Sequence, residues 1–284
     1  MAYRTIEVTP IGGTLGAEVA GIDLARPLGN EQIAEIHQAF LENQVLVFHG
    51  QDLTIEQNKD FARRFGPLVP YPFVKGLDDH PEVFEIRKEP DEEKNFGGAW
   101  HTDMSFEERP PVGTMLYARE TPSRGGDTLI ANLYRAYETL SDPMKRVVEG
   151  LTGVYSGDLK GRRGGRKALM DSTRFQAANV ERAGEMEAEH PLVRTHPETG
   201  RKALYVSGSH LYRIAGMTDA ESAALVGFLK DHAATPDFTC RVSYRPGTLV
   251  VWDNRCTQHR ALNDYPGERR VMHRLTIGGG DRPH

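Results

Sequence analysis

Short apolar runs recur along this chain, each closed within a few residues by glycine, proline or aspartate, and this rhythm limits what the chain can fold into. RTIEVTPI and GAEVAGIDL, near the start, alternate apolar and polar residues and read as strands set apart by glycines. VLVFHG, residues 45–50, is a continuous apolar run of the kind a doubly buried strand needs. EVFEIRKE, GTMLYARE, DTLIANLY and RKALYVSG repeat the theme, with TPSRGGD as a turn between the third-last and second-last of them. FTCRVSYRPGTLVVWDN predicts a hairpin turning at RPG, and RRVMHRLTIGGG a closing strand. Helical period is rarer. Asn30 predicts a cap for a helix over 31–43 with Ile33, Ile36, His37 and Phe40 on one face. Thr54 and Gln57 form a capping-box pattern for a second helix, with Phe61 and Phe65 inward and Gly66 as its stop. Ser141 with Pro143 opens a helix near 142–150, and Thr218 with Glu221 caps one over 219–232. Many short strands with few helices predict one β-rich α+β domain over residues 1–284, closed as a sandwich or barrel.

With 284 residues the chain can bury a substantial core. A net charge of −5 and a pI near 6.1 give no electrostatic case for nucleic acid or a membrane surface as partner. No run approaches the roughly 18 apolar residues of a spanning helix, and MAYRTIEVTPIGG lacks the apolar core of a signal peptide. Cys240 and Cys256 are the only cysteines, so no disulfide framework is implied and a reducing cytoplasm is the expected location. Residues 156–190 break the pattern: basic and glycine-rich at first, then acidic. They read as a surface excursion, either a lid or insertion over a site or a solvated loop. Its KGRRGGRK run lacks the interleaved aromatics of a nucleic-acid binder.

Three stretches carry chemistry. In GGAWHTDMSF, His101 and Asp103 stand one residue apart, and in a strand both would face one ion. Imidazole with carboxylate suits a borderline divalent metal, and a third nitrogen ligand would complete a facial triad. Alone, HTD is a weak signal and reads more readily as a surface turn. LVVWDNRCTQHRA then leads an apolar strand through a polar turn to His259, and Trp252 in that strand reads as packing. In GERRVMHRLTI, Arg270, Met272 and Arg274 would share one strand face. Two arginines on the inward face of an apolar strand are costly unless anions pair with them, and the arginine fork matches a carboxylate or sulfonate.

The order WHTD, TPSRGGDT, WDNRCTQHRA, RRVMHR, together with LGAEVAGIDLARPL and FARRFGPL, resembles the taurine dioxygenase (TauD/TfdA) family of iron(II)/2-oxoglutarate-dependent dioxygenases over nearly the whole chain. The resemblance implies a double-stranded β-helix, or jelly roll, with flanking helices. It implies iron(II) held by His101, Asp103 and His259, and the far carboxylate of 2-oxoglutarate held by Thr128 and Arg270. Arg274 matches the position that meets the acid group of the substrate or the near end of the co-substrate, and the Met104 N–H a substrate contact. The implied reaction consumes O2 and 2-oxoglutarate, releases succinate and CO2, and hydroxylates a C–H next to a heteroatom in a small acidic molecule. A dimer or tetramer of identical subunits is the expected assembly. The same residues would serve a biosynthetic hydroxylase or desaturase acting on an amino acid or lipid-linked acid. A cupin-like binding module without catalysis would need the three metal ligands but not Arg270 or Thr128.

Two departures bear on the substrate. Taurine-specific members carry a histidine after the second helix; in FGPLVPYPFVKG that place falls to Tyr71, beside Phe73 and Val74. An asparagine expected just before the first metal motif is replaced by Gly97 and Gly98. The resulting pocket is expected to be more apolar than a taurine site. MTDAES, DFTCRV and VWDNRCTQHRA are similar to the family's aryloxyalkanoate dioxygenases and alkylsulfatases. An aryloxyalkanoate, alkyl sulfate or sulfonate is therefore the expected substrate.

Overall fold

The computed structural model describes residues 3–159 and 164–284. Side-chain alternation organises it. An eight-stranded sheet runs in the order Glu7–Pro10, Ala17–Ala20, Val45–Phe48, Leu249–Asp253, Gly113–Glu120, Arg270–Ile277, Leu68–Val69, with Val83–Lys88 also paired to Arg270–Ile277. Leu46, Phe48, Met115, Tyr117, Leu249, Val251, Leu275 and Ile277 project to one side, where helices Asn30–Asn43 and Ile55–Ala62 cover them through Ile36, Phe40 and Phe61. Their alternates Val45, Val47, Leu116, Ala118, Val250, Trp252 and Met272 project to the other side. There they meet Ile130, Cys240 and Val242 from a three-stranded sheet ordered Thr239–Val242, Thr128–Asn132, Thr257–Ala261. Every residue of Arg270–Ile277 is buried as a result, arginines included.

A second three-stranded sheet, Leu211–Ile214, Thr152–Ser156 and Glu187–Pro191, packs with helices Leu133–Glu138 and Asp219–Ala233 around Tyr134, Tyr155, Leu211 and Leu229. Residues 157–186 leave and rejoin this sheet between two paired strands. The predicted surface excursion is thus anchored at both ends. It carries the helix Gly165–Asp171, and Arg166, Met170 and Ala183 are buried. Part of the KGRRGGRK run, residues 160–163, lies outside the described residues. Among the described residues no helix is long and apolar enough to cross a membrane.

Four local expectations fail for physical reasons. The segments on either side of RPG do not form a hairpin. Thr239–Val242 joins the small sheet and Leu249–Asp253 the large one. Both strands present apolar side chains to the same inter-sheet core, so the chain crosses that core and the arms stack face to face. The first helix begins at Asn30 itself, because the Gln32 side chain takes the Gly29 N–H and makes Gly29 the cap. The second helix ends at Ala62, short of Gly66, and Phe65 packs edge-on against Phe40 and Phe61 from beyond its end. DTLIANLY also stops being a strand at Asn132, whose side chain accepts the Tyr134 and Arg135 N–H groups and starts a helix.

Leu275 sits on the helix-covered face and is fully buried. Leu275→Ala should cost about 2–5 kcal/mol by leaving a cavity. Urea denaturation should show this as a lowered midpoint at unchanged slope.

Candidate metal centre

His101, Asp103 and His259 converge, although not by the strand geometry expected of the first pair. Only His101 makes a β-bridge, and the chain turns at Asp103, with Met104 in a left-handed conformation at φ 47°. The bridge is reciprocal: His101 N–H donates to His259 C=O at 3.0 Å and His259 N–H returns 2.8 Å to His101 C=O. His259 lies in the middle of Thr257–Ala261, beyond the polar turn. Nε2 of His101 is 3.5 Å from Asp103 Oδ1, and Nε2 of His259 is 3.8 Å from Oδ2. All candidate ligand atoms lie within 4.8 Å of one another.

The protonation pattern fits a cation. His101 Nδ1 donates to Ala99 C=O at 2.7 Å, which orients the ring with Nε2 facing Asp103. Burial, then the neighbouring His101, pushes His259 down to about 3, so it is a neutral ligand at pH 7. Burial alone would raise Asp103, but Arg274, His259 and His101 outweigh it and hold the carboxyl well below its usual range. A hydrogen-bond chain aims that carboxylate. Trp252 Nε1 donates to Asn254 Oδ1 (3.1 Å), Asn254 Nδ2 to Thr114 Oγ1 (3.0 Å), and Thr114 Oγ1 to Asp103 Oδ2 (2.6 Å). Trp252 therefore does more than pack: its N–H starts this chain and its ring lies 4.5 Å from that of His259. The Nε2 atoms of His101 and His259, together with the ionised Asp103 carboxylate, make a donor set that fits iron(II).

A second group, His196, Asp253 and Cys256, is also close-set. It is structural. His196 Nδ1 accepts the Glu198 and Thr199 N–H groups, Nε2 meets Asp253 Oδ2, and Arg255 takes both Asp253 oxygens.

Two cavities meet at the centre and share Phe96, Gly97, His101, Asp103 and Arg274. The inner one, between the sheets, adds His259, Thr128 and Arg270. Arg270 is buried with Nε and one terminal nitrogen unpaired, and its guanidinium lies 5.2 Å from the Tyr244 ring, whose hydroxyl donates to Thr128 Oγ1 at 3.0 Å. Lys88, cross-strand from Arg270, is likewise buried with Nζ unpaired. A buried arginine with free N–H groups in the cavity that Thr128 also lines fits a carboxylate such as the far end of 2-oxoglutarate. Gly126 makes room: its φ is +70°, and a Cβ there would come within 3.2 Å of Arg270 Cδ. The outer cavity adds Tyr71, Asn95, Met104, Arg166, Ser209 and His210. Arg274 lies 3.0 Å from Asp103 Oδ1, close enough for an ion pair but misaligned for a hydrogen bond, so its terminal N–H remains free.

All eight expected site residues thus line one or both cavities. Thr114, Asn254, Tyr244, Lys88 and Arg166 carry no sequence signal of comparable strength, because each becomes relevant only through a cross-sheet or cross-strand neighbour. Gly97 and Gly98 do stand where an asparagine was expected, yet Asn95 lines the same cavity, its amide bound to Ala261 and Leu262 carbonyls.

A two-histidine, one-carboxylate centre opening on an arginine-lined cavity is the arrangement of a class of oxygen-using enzymes. The model of the Taurine catabolism dioxygenase TauD, TfdA family matches residues 7–276. An alkylsulfatase of Acinetobacter baylyi is 35% identical over 97% of this chain and 86% of its own length. An alpha-ketoglutarate-dependent sulfate ester dioxygenase of Pseudomonas putida is 31% identical over 96% of this chain and 90% of its own. A taurine dioxygenase structure from Burkholderia xenovorans superposes with a TM-score of 0.81 at 36% identity, covering 99% of this chain and 91% of that one. The chain belongs to the TauD/TfdA family. It is an alpha-ketoglutarate-dependent dioxygenase, with iron(II), 2-oxoglutarate and O2 as the reagents its family uses.

Thr114→Val should weaken metal binding about 10–100-fold by freeing the Asp103 carboxylate to rotate; titration with manganese(II) followed by electron paramagnetic resonance reads this directly. Gly126→Ala should displace Arg270 and raise the Kd for 2-oxoglutarate, measured calorimetrically, while metal affinity holds.

Proposed function

We propose that this dioxygenase hydroxylates a small acidic molecule with an apolar body at a C–H beside a heteroatom, with alkyl sulfate esters ranked ahead of sulfonates and aryloxyalkanoates. One observation carries the reading: two cavities, each with a buried arginine of its own, meet at His101, Asp103 and Arg274. His101, Asp103 and His259 would hold the iron. Arg270 and Thr128 would anchor the far carboxylate of 2-oxoglutarate in the inner cavity. Bound together, iron(II) and 2-oxoglutarate supply with O2 the oxidation that turns a C–H into C–OH as 2-oxoglutarate leaves as succinate and CO2.

The chain's own residues place the substrate. Arg274, at the junction, would take the acid group, so the carbon next to it is held toward the metal residues. Met104, in a left-handed turn beside the outer cavity, would offer its backbone N–H to the substrate. Phe96, Leu159 and Leu169 would cover the apolar body and exclude water. A hydroxyl placed on a carbon that bears a sulfate oxygen is unstable: the C–O bond breaks, hydrogen sulfate leaves and a carbonyl forms. The alkylsulfatase and sulfate ester dioxygenase names of two relatives support this ranking. We further read the paired sheets as a double-stranded β-helix, or jelly roll, within one domain, and residues 156–190 as a lid or insertion within it. The buried free thiols of Cys240 and Cys256 suit a reducing cytoplasm, and a homodimer or homotetramer remains our expected assembly.

Succinate release under air with added iron(II), across taurine, longer sulfonates, alkyl sulfates, aryloxyacetates and aryloxypropionates, tests the reading. Alkyl sulfates should stimulate most. Arg274→Gln should sharply raise the substrate requirement while 2-oxoglutarate binding survives; equal loss of both would assign Arg274 to the co-substrate. No stimulation and no uncoupled turnover, with His101→Ala indistinguishable from wild type, would overturn the assignment.

A further inference from the structure

The outer cavity contains a second buried arginine that no motif announces. Arg166, on the helix Gly165–Asp171, is 3% exposed. Its Nε donates to Gly157 C=O (2.9 Å), one terminal nitrogen to the Tyr71 hydroxyl (3.2 Å) and the other to His210 Nε2 (3.2 Å). Its guanidinium lies 4.5 Å from the Phe73 ring. Each of these partners is neutral. An arginine can only donate, so His210 Nε2 accepts, and Nδ1 carries the proton toward Ser105 Oγ at 3.0 Å. Burial, and then Arg166 itself, keep His210 uncharged.

No carboxylate forms an ion pair with this guanidinium among the described residues; buried Asp158 meets Arg166 only at its main-chain N–H. Asp158 spends its oxygens on the main-chain N–H groups of Gly164 and Arg166, and Asp171 pairs with Lys167. Residues 160–163 read KGRR and contain no acid. A buried guanidinium whose own hydrogen-bond partners are all neutral is costly unless an anion reaches it, and Arg166 lines the outer cavity, where an anion can.

Tyr71 joins this arginine to Arg274. Its hydroxyl accepts from Arg166 while Arg274 lies 4.8 Å from its ring. Both guanidiniums line the outer cavity with Met104 and Ser209. The residue expected to make the pocket more apolar instead recruits a second cation to it.

We infer that Arg166 and Arg274, spaced by Tyr71, form a two-arginine clamp for the acid group of the substrate, with Arg166 the residue that selects a sulfate or sulfonate over a carboxylate. A carboxylate presents its acceptor sites in a single plane, whereas a sulfate ester presents three terminal oxygens in a tetrahedral array that two guanidinium forks can meet from different sides. The clamp rests on the outer cavity being the substrate site.

The test uses the full-length protein loaded with iron(II) and 2-oxoglutarate without oxygen, titrated calorimetrically with hexyl sulfate and with hexanoate. Wild type should bind hexyl sulfate more tightly. Arg166→Gln should raise the Kd for hexyl sulfate about 10–100-fold, the range lost with a charge-assisted hydrogen bond, and that for hexanoate by only a few-fold. Its Kd for 2-oxoglutarate should not move. Arg166→Lys should restore part of the affinity but not the sulfate preference. Tyr71→Phe, which keeps the ring and removes only the hydroxyl, should weaken hexyl sulfate several-fold and serves as the probe if Arg166→Gln misfolds. Unchanged hexyl sulfate affinity in folded Arg166 or Tyr71 variants, with wild type binding normally, overturns the clamp alone. Absence of binding by wild type to either acid overturns the clamp together with the reading of the cavity beneath it.

Discussion

The Asp103 carboxylate, a negative charge 3% exposed where the two sheets and two cavities meet, dictates the arrangement around it. Left alone, such a charge would protonate or unfold its surroundings. Arg274, His101 and His259 meet it from three directions and Thr114 donates to it. Those partners belong to separate parts of the chain, so the turn, the small sheet and the large sheet must all be in place before the charge is compensated. The reciprocal bonds between His101 and His259 tie the turn to the small sheet. The chain from Trp252 through Asn254 and Thr114 ties the carboxylate to the large one.

The interior is cationic while the protein as a whole is anionic. Net charge is −5, yet Arg270, Arg274, Arg166 and Lys88 are all buried at or near the cavities, with Asp103 the acid among the cavity-lining residues. Whole-chain charge offers no case for nucleic acid and says nothing of the site, because surface carboxylates dominate the sum. Burial makes the interior cations matter: away from water each is worth more to an anion than a surface residue would be. Two adjoining anion sites beside one metal site suit an enzyme that must hold an acidic co-substrate and an acidic substrate at once.

Much of this was legible beforehand where period-two alternation applied. Arg270, Met272 and Arg274 do share the inward face of one strand, and Leu275 and Ile277 the opposite face. The capping boxes at Thr54 and Thr218 form as spelled out. Alternation is a local property of backbone geometry, so sequence reveals it. The turn at RPG misled because tight turn chemistry marks where a chain bends, not whether its arms pair or stack. Tyr71 misled because its environment, not its type, decides whether ring or hydroxyl matters; the helix that carries Arg166 lies some ninety positions away along the chain.

Residue types, their order and their two-residue period by themselves determined the sheet-rich architecture, the three metal-ligand candidates and the paired arginines, since each depends on chain-local spacing or on an ordered set of motifs. Only the tertiary structure decided that Asp103 sits in a turn, that Thr114 and Tyr244 steady the site residues, that His196, Asp253 and Cys256 form a structural network, and that Arg166 reaches the outer cavity. Those facts depend on which distant side chains share a buried space, and hydrogen bonds and charges there have force only after water has been excluded.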